Sequence, residues 1–414
     1  MKIENNRYTS ENVVKGSIFT LFFMCGLVTS FGFIMIPNLK ILFSLSYKQV
    51  MLVNSAFNIT ILLCSYPAGI FLERKGYKKT LQAGLLIFAI GCLGIYPAIQ
   101  LNSFPLVLLS FFVLGIGFNL QMVAGNPFLI SIGSPDTASS RVTLGQAFTA
   151  VGQTLAPLIG SLFILNEMVK TNDEIGNRIQ TLYLVVAIIL IALFVAYFRI
   201  KPENTGSVIN TKDDLQNDKP WHYKQLVFAF IGIFVYIGIE ATVGSIFINF
   251  VTDPTVASVP AAQAGIFLTV FFVGFMLARF GGAALQKKVR PELLLVIFSF
   301  INVSLVLGII LFHGMLVVWL LILTGVFDSI MFPTMFSMGL SGLGRLEARG
   351  SGILFMALSG GAVVPVLQGA VADLAGLQLS FLVIIPCYLY ILFFGIKGYK
   401  PGKFVKKKVA LRPL

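Results

Sequence analysis

The sequence predicts an all-α integral membrane protein of twelve transmembrane helices in two six-helix halves. Composition is the first ground: 57% of the 414 residues are hydrophobic and only 11% are charged, against about 25% charged in a soluble domain. The second is spacing. The apolar residues gather into runs near the ~20 residues that a helix needs to cross a hydrocarbon core. The third is the placement of charge. With the N-terminus set in the cytoplasm, all of the 30 Lys and Arg residues except Lys40, Lys48, Lys170 and Arg178 fall on the cytoplasmic side, the bias that orients helical membrane proteins.

The first run, 16–36, is too long for the apolar core of a signal peptide, and no A-x-A-like site follows it, so a retained helix is expected. The next five runs are 49–72, 80–99, 105–130, 142–165 and 180–198. From Lys201 to Trp221 the chain turns polar, KPENTGSVINTKDDLQNDKPW. Such a segment buries too little apolar surface to offset the entropy of folding. A cytoplasmic linker is expected at 201–222, between halves covering 1–200 and 223–414. The second half supplies 224–250, 262–284, 293–312, 315–340, 350–371 and 378–396. It ends in a basic tail with Lys403, Lys406, Lys407 and Lys408, suited to anionic lipid headgroups. An even number of spans puts both termini inside. The halves also echo each other: Gly69 to Lys79 and Ala278 to Arg290 each place a small residue and an Arg near a helix end before a basic turn. Paired repeats of this kind are a transporter trait.

Two acids, Glu240 and Asp328, stand alone inside apolar runs, while the other Asp and Glu residues lie near segment ends or in loops. A carboxylate at the centre of a membrane helix costs at least ~2.5 kcal/mol, so such a residue faces a polar cavity and marks a substrate or ion path. Amides within the runs, Asn126, Gln146, Gln153, Asn249 and Gln368, offer both donors and acceptors to a hydroxyl-rich ligand. Gln146 and Gln153 are seven residues apart and share a helix face. Asn126 precedes Pro127, where a hinge role is equally in play. Asn249 follows Glu240 by nine residues, half a turn out of phase, and joins it in one cavity only if the helix kinks near Gly244-Ser245. Among the aromatics, Phe33, Tyr236 and Phe336 are candidates to stack on a sugar ring. His313 falls in a short loop.

Other classes are disfavoured. The net charge of +13 is spread over membrane loops instead of one soluble face, against nucleic-acid binding. There is no G-x-x-x-x-G-K-[ST] loop for an ATP-driven pump and no H-E-x-x-H or clustered His/Cys set. Cys25, Cys64, Cys92 and Cys387 all lie in apolar runs without C-x-x-C spacing and are expected as packing residues. Neither an enzyme nor a bound cofactor or metal is expected.

The turn with Gly69, Glu73, Arg74, Gly76, Lys78 and Lys79 resembles the G-x-x-x-[DE]-R-x-G-[RY]-[KR]-[KR] loop of the major facilitator superfamily, which clamps helix ends in one access state. Longer stretches narrow the resemblance. Ala124-Gly125-Asn126-Pro127-Phe128 with Arg141 and Gln146-Ala147-Phe148 is similar to the fucose–galactose–glucose:proton symporters of that superfamily. So are Gly238-Ile239-Glu240 with Gly244-Ser245 and Asn249, Ser329-Ile330-Met331-Phe332-Pro333, and Gly360-Gly361 with Pro365, Gln368 and Asp373. The resemblance covers nearly the whole chain. It implies a major facilitator fold and uptake of a hexose or deoxyhexose by alternating access, with Glu240, Gln146, Asn126, Asn249, Gln153 and Gln368 as substrate-binding candidates. The turn residues and Arg279 become candidates for gating. Expected partners are the sugar, a proton or a sodium ion, and the lipid of a bacterial inner membrane, with the chain working as a monomer.

The departures are informative. The L-fucose permease branch couples protons through an Asp in helix 1 and a Glu in helix 4, and Phe33 and Met122 stand at those places here. If protons are coupled, Glu240 and Asp328 are the remaining candidates. A uniporter, and a carrier of another small polar metabolite or drug, stay open as alternatives on the same fold. A receptor-like protein that no longer transports is disfavoured by the intact turn motifs.

Overall fold

The computed structural model describes residues 2–50, 52–163, 172–198 and 219–400. Helix falls on all twelve expected runs. In chain order the helices are α1 (Lys2–Leu42), α2 (Tyr47–Val50), α3 (Leu52–Gln100), α4 (Phe104–Ser131), α5 (Ala138–Phe163), α6 (Asn172–Phe198), α7 (Lys224–Thr252) and α8 (Ala261–Leu285). They continue with α9 (Pro291–Leu311), α10 (Met315–Asp328), α11 (Met331–Leu340), α12 (Glu347–Met356), α13 (Val364–Ala375), α14 (Leu377–Ser380) and α15 (Ile384–Phe393). Among the described residues nine helical stretches are long and apolar enough to cross a membrane, with Gly16–Gly32 as a shorter apolar helix.

Several spans do not coincide with one unbroken helix. At 49 residues α3 is far longer than one span, and it is interrupted at Gly76, where φ is 78° and ψ is 171°. That backbone conformation is open essentially to glycine alone. The expected basic turn is thus compressed to a break around one residue, with Gly69 buried, Glu73 and Lys78 half-buried and Arg74 and Lys79 exposed. The tenth span is α10 and α11 with a break at Ser329-Ile330. The eleventh is α12 and α13 joined by a 3₁₀ stretch, Ala357–Ala362. The last one ends in a π turn, Phe394–Gly398.

The chain divides into two compact units. One comprises Met1–Ile132 and Phe148–Asn210, the other Gly133–Ala147 and Thr211–Leu414. The expected linker lies outside the described residues up to position 218, and Pro220–His222 forms one 3₁₀ turn. The basic tail also lies outside them. Gly133–Ala147 groups with the second unit. Polar side chains of α5 are the reason: Ser139 hydrogen-bonds Ser337, Ser140 donates to the Ala283 carbonyl, and Thr143 donates to Gln286 Oε1 at 2.7 Å.

Within the first unit, α3 and α4 are joined by buried polar bonds as well as apolar contact. Asn119 Nδ2 donates to Thr60 Oγ1 at 3.1 Å, and Ser65 Oγ donates to Asn119 Oδ1 at 2.7 Å. Gln121 Nε2 donates to the Leu81 carbonyl at 2.8 Å. Interhelical bonds of this kind hold membrane helices where no hydrophobic driving force acts between them. In the second unit α10 packs on α8 and α9, α15 on α7 and α9, and α7 on α11 and the 3₁₀ stretch. Between α7 and α8, Asp253 accepts from the amide and hydroxyl of Thr255, which holds this exposed carboxyl below the ordinary range.

Candidate functional site

Several polar residues that the second unit buries, on α7, α8, α9, α10 and α15, are linked around Asp328. On α7, an uninterrupted helix, Tyr236 and Glu240 are four residues apart and therefore on one face. Glu240 is half-buried and Tyr236 fully buried. The Tyr236 hydroxyl lacks a well-formed hydrogen bond, with the Glu240 carboxyl beside it. Tyr236 is also in electrostatic range of Asp328 and Arg279.

Asp328 is the last residue of α10 and is 3% exposed. Its carboxylate is held from two other helices. Asn302 Nδ2 of α9 donates to Oδ1 at 2.8 Å, and the Tyr388 hydroxyl of α15 reaches both Oδ1 and Oδ2 at 3.0 Å. Glu240 lies within electrostatic range of the same carboxyl.

Arg279 follows from the break after Asp328. Pro333 has no N–H, so the carbonyl four residues earlier, that of Ser329, loses its helical donor. Arg279 Nε supplies one at 3.3 Å, while Nη1 donates to the Gln146 carbonyl at 3.1 Å. The guanidinium also sits 4.3 Å from the Phe275 ring centre. It is 5% exposed. Arg279 therefore works inside α8, six residues before the helix end, and not in the turn beyond it.

The other sequence candidates have separate placements. Gln146 is buried and brought to the cluster by its main chain. Gln368 is buried and donates to Ser380 Oγ at 3.0 Å, tying α13 to α14, with its Oε1 unpartnered. Asn126 is buried in the first unit and donates to the Met122 carbonyl of its own helix at 2.9 Å. Gln153, also in the first unit, is exposed. Asn249 is exposed, and because α7 has no break near Gly244-Ser245 it does not share the face of Glu240. His313 is exposed between α9 and α10. Met122 is buried. Cys25 and Cys92 are buried and all four cysteines are free thiols.

Sequence reasoning did not single out Asn302, and gave Tyr388 no role. Asn302 had a sequence signal, an amide in the apolar run Val296 to Leu311, but no signal for its partner. Gln286, just after α8, likewise had no sequence signal for its partners: it accepts from Thr143 and donates to Thr334 Oγ1 at 2.7 Å.

The comparisons with known proteins agree with this architecture. A glucose/galactose transporter of Brucella abortus biovar 1 (strain 9-941) is 38% identical over 385 residues, covering 93% of each chain. An L-fucose-proton symporter of Escherichia coli (strain K12) is 26% identical over 383 residues, covering 86% of each. A crystal structure of the E. coli fucose:proton symporter superposes with a TM-score of 0.84 at 24% identity, covering 93% of this chain and 98% of that one. The family model of the Major Facilitator Superfamily matches residues 18–365. With that match over most of its length, and with this helical architecture, the chain belongs to the Major Facilitator Superfamily.

Proposed function

We propose that this protein is a secondary transporter that carries a hexose or deoxyhexose by alternating access, coupled to proton uptake. The observation that supports it most is Glu240: a lone carboxyl in mid-span, half-buried, beside Tyr236 and within range of a second buried carboxyl. A carboxylate accepting from sugar hydroxyls forms charge-assisted bonds, roughly twice as strong as neutral ones. The names carried by relatives, glucose/galactose transporter and L-fucose-proton symporter, agree with this substrate class and with the coupling ion.

In this reading Glu240 and Gln146 contact the sugar first. Asn126, Gln153, Gln368 and Asn249 are secondary candidates. Glu240 and Asp328 are the candidate coupling acids. Gly69, Glu73, Arg74, Gly76, Lys78, Lys79 and Arg279 serve the change of access state. The chain has two six-helix halves at 1–200 and 223–414 with a linker at 201–222. It lies in a bacterial inner membrane, with both termini cytoplasmic, and works as a monomer. The test is uptake of labelled hexoses into proteoliposomes with and without a pH gradient. Accumulation above the external concentration under external acid supports the reading. Equilibration that ignores pH removes the coupling and leaves a uniporter.

A further inference from the structure

The buried carboxyl of Asp328 is contacted by hydrogen-bond donors, a surrounding that suits the gain and loss of a proton. Its two hydrogen-bonding neighbours, Asn302 and Tyr388, both present donors. A sodium or divalent ion calls for a shell of oxygen ligands. Among the described residues no ion pair joins Asp328. The charged and titratable groups facing it are Tyr388 with the adjoining Cys387 on α15, Glu240 and Tyr236 on α7, and Arg279 on α8, bonded to the neighbouring Ser329 carbonyl.

Asn302 carries the second observation. Its Nδ2 donates to Asp328 Oδ1 at 2.8 Å and, more weakly, to the Thr324 carbonyl at 3.5 Å, yet its Oδ1 is buried without a partner. An unpaired buried amide oxygen costs about 1–3 kcal/mol and calls for an explanation. The two ends of an amide are nearly the same shape, so turning it over preserves packing. Turned over, Asn302 offers an acceptor where it now offers a donor. A carboxylate needs the donor, whereas a carboxylic acid needs the acceptor.

We infer that Asp328, Asn302 and Tyr388 form the proton-binding site of the carrier, with Asn302 as a positioning residue that donates to the carboxylate and accepts from the acid. This rests on the reading of the chain as a coupled transporter. The step is a simple addition: one proton from the aqueous phase converts the Asp328 carboxylate to the acid, and its release restores the negative charge. Asp328 ends α10 at the Ser329-Ile330 break, and its carboxyl ties α9 and α15 to that point. Loading the proton therefore weakens the donors' hold at the place where the tenth span is already interrupted.

The test is infrared difference spectroscopy between acid and alkaline pH on the full-length purified protein in liposomes, without sugar. The expected result is a buried carboxyl band that shifts on ¹³C-labelling of Asp and not on labelling of Glu, and that is lost in Asp328→Asn. A side-chain carbonyl band of ¹³C-labelled Asn should move with the same midpoint. Tyr388→Phe, which removes a donor to the carboxylate, should move that midpoint to higher pH by about 1 to 2 units. A role in packing alone leaves the midpoint in place. A band that follows the Glu label, or no titrating buried carboxyl at all, overturns the inference. The labelling is done on the unaltered sequence, so a variant that fails to fold does not block the test. Hexose uptake in the same liposomes separates the two readings. No uptake with a titrating Asp band removes the substrate and keeps the proton site, whereas acid-driven uptake without that band removes the proton site alone.

Discussion

A buried guanidinium bonded to a carbonyl that has no helical donor is expensive to remove, because truncation leaves that oxygen in a medium that cannot solvate it. Arg279 satisfies the Ser329 carbonyl that Pro333 deprives of its helical partner, and also the Gln146 carbonyl. Arg279→Ala should lower stability by about 1–3 kcal/mol, visible as a lower melting temperature in detergent. Arg279→Lys, with a point charge in place of a fork, should recover less than half of that loss. At Glu240 the expected effect is on affinity. Glu240→Ala removes a charged acceptor, so half-saturation by hexose should rise roughly 10- to 100-fold while expression and helix content stay unchanged. Wild-type half-saturation in this variant would remove Glu240 from the site. These two residues differ in how legible they were. Glu240 and Asp328 stood out because a carboxyl in an apolar run has few readings. Arg279 was visible as a residue, but its role depends on a carbonyl freed 50 positions away. Asn302 and Tyr388 belong to residue types that membrane helices tolerate, and their meaning lies in a partner on another helix.

The helices themselves were legible from run length and charge, whereas their interruptions were not. Period and hydropathy describe side chains, and the interruptions come from the backbone. At Gly360 a Cβ would lie 1.9 Å from the Phe234 carbonyl oxygen, so the 3₁₀ stretch and α7 are in contact at main-chain distance. The run Ser359-Gly360-Gly361, with Pro365 following, weakens α-helical bonding there and lets the chain tighten. Gly360→Ala should force α7 and the eleventh span apart at the level of Tyr236. The overpacking should cost about 1–3 kcal/mol and lower transport. Gly244→Ala, at a position on the same helix with open space around it, provides the control and should leave stability nearly unchanged. The phase of α7 bears on one conditional expectation: Asn249 joins Glu240 only through a kink, and α7 is one unbroken helix.

For the whole molecule, coupling sets a thermodynamic ceiling that no single contact reveals. One pH unit across a membrane is worth about 1.36 kcal/mol per proton, which is a factor of ten in concentration. If one proton moves with each sugar, and if membrane potential is clamped to zero, the protein should concentrate hexose about tenfold per unit of pH gradient and no further. A second coupling acid would raise the ceiling to about a hundredfold. The ceiling therefore counts the protons coupled to each sugar, while the Asp328 and Glu240 variants tell which carboxyl is involved. The hydrogen bonding favours the lower value. Asp328 has a defined set of donors on α9 and α15, whereas Glu240 is half-buried beside a single phenol and is better placed to meet a ligand. The measurement is the steady-state ratio of internal to external labelled hexose at imposed gradients of one and two pH units with valinomycin and balanced potassium. A slope near one decade per unit supports a single coupled proton, the number that one site at Asp328 requires. A slope near two requires a second proton site besides Asp328, and a ratio fixed at one removes proton coupling from the protein.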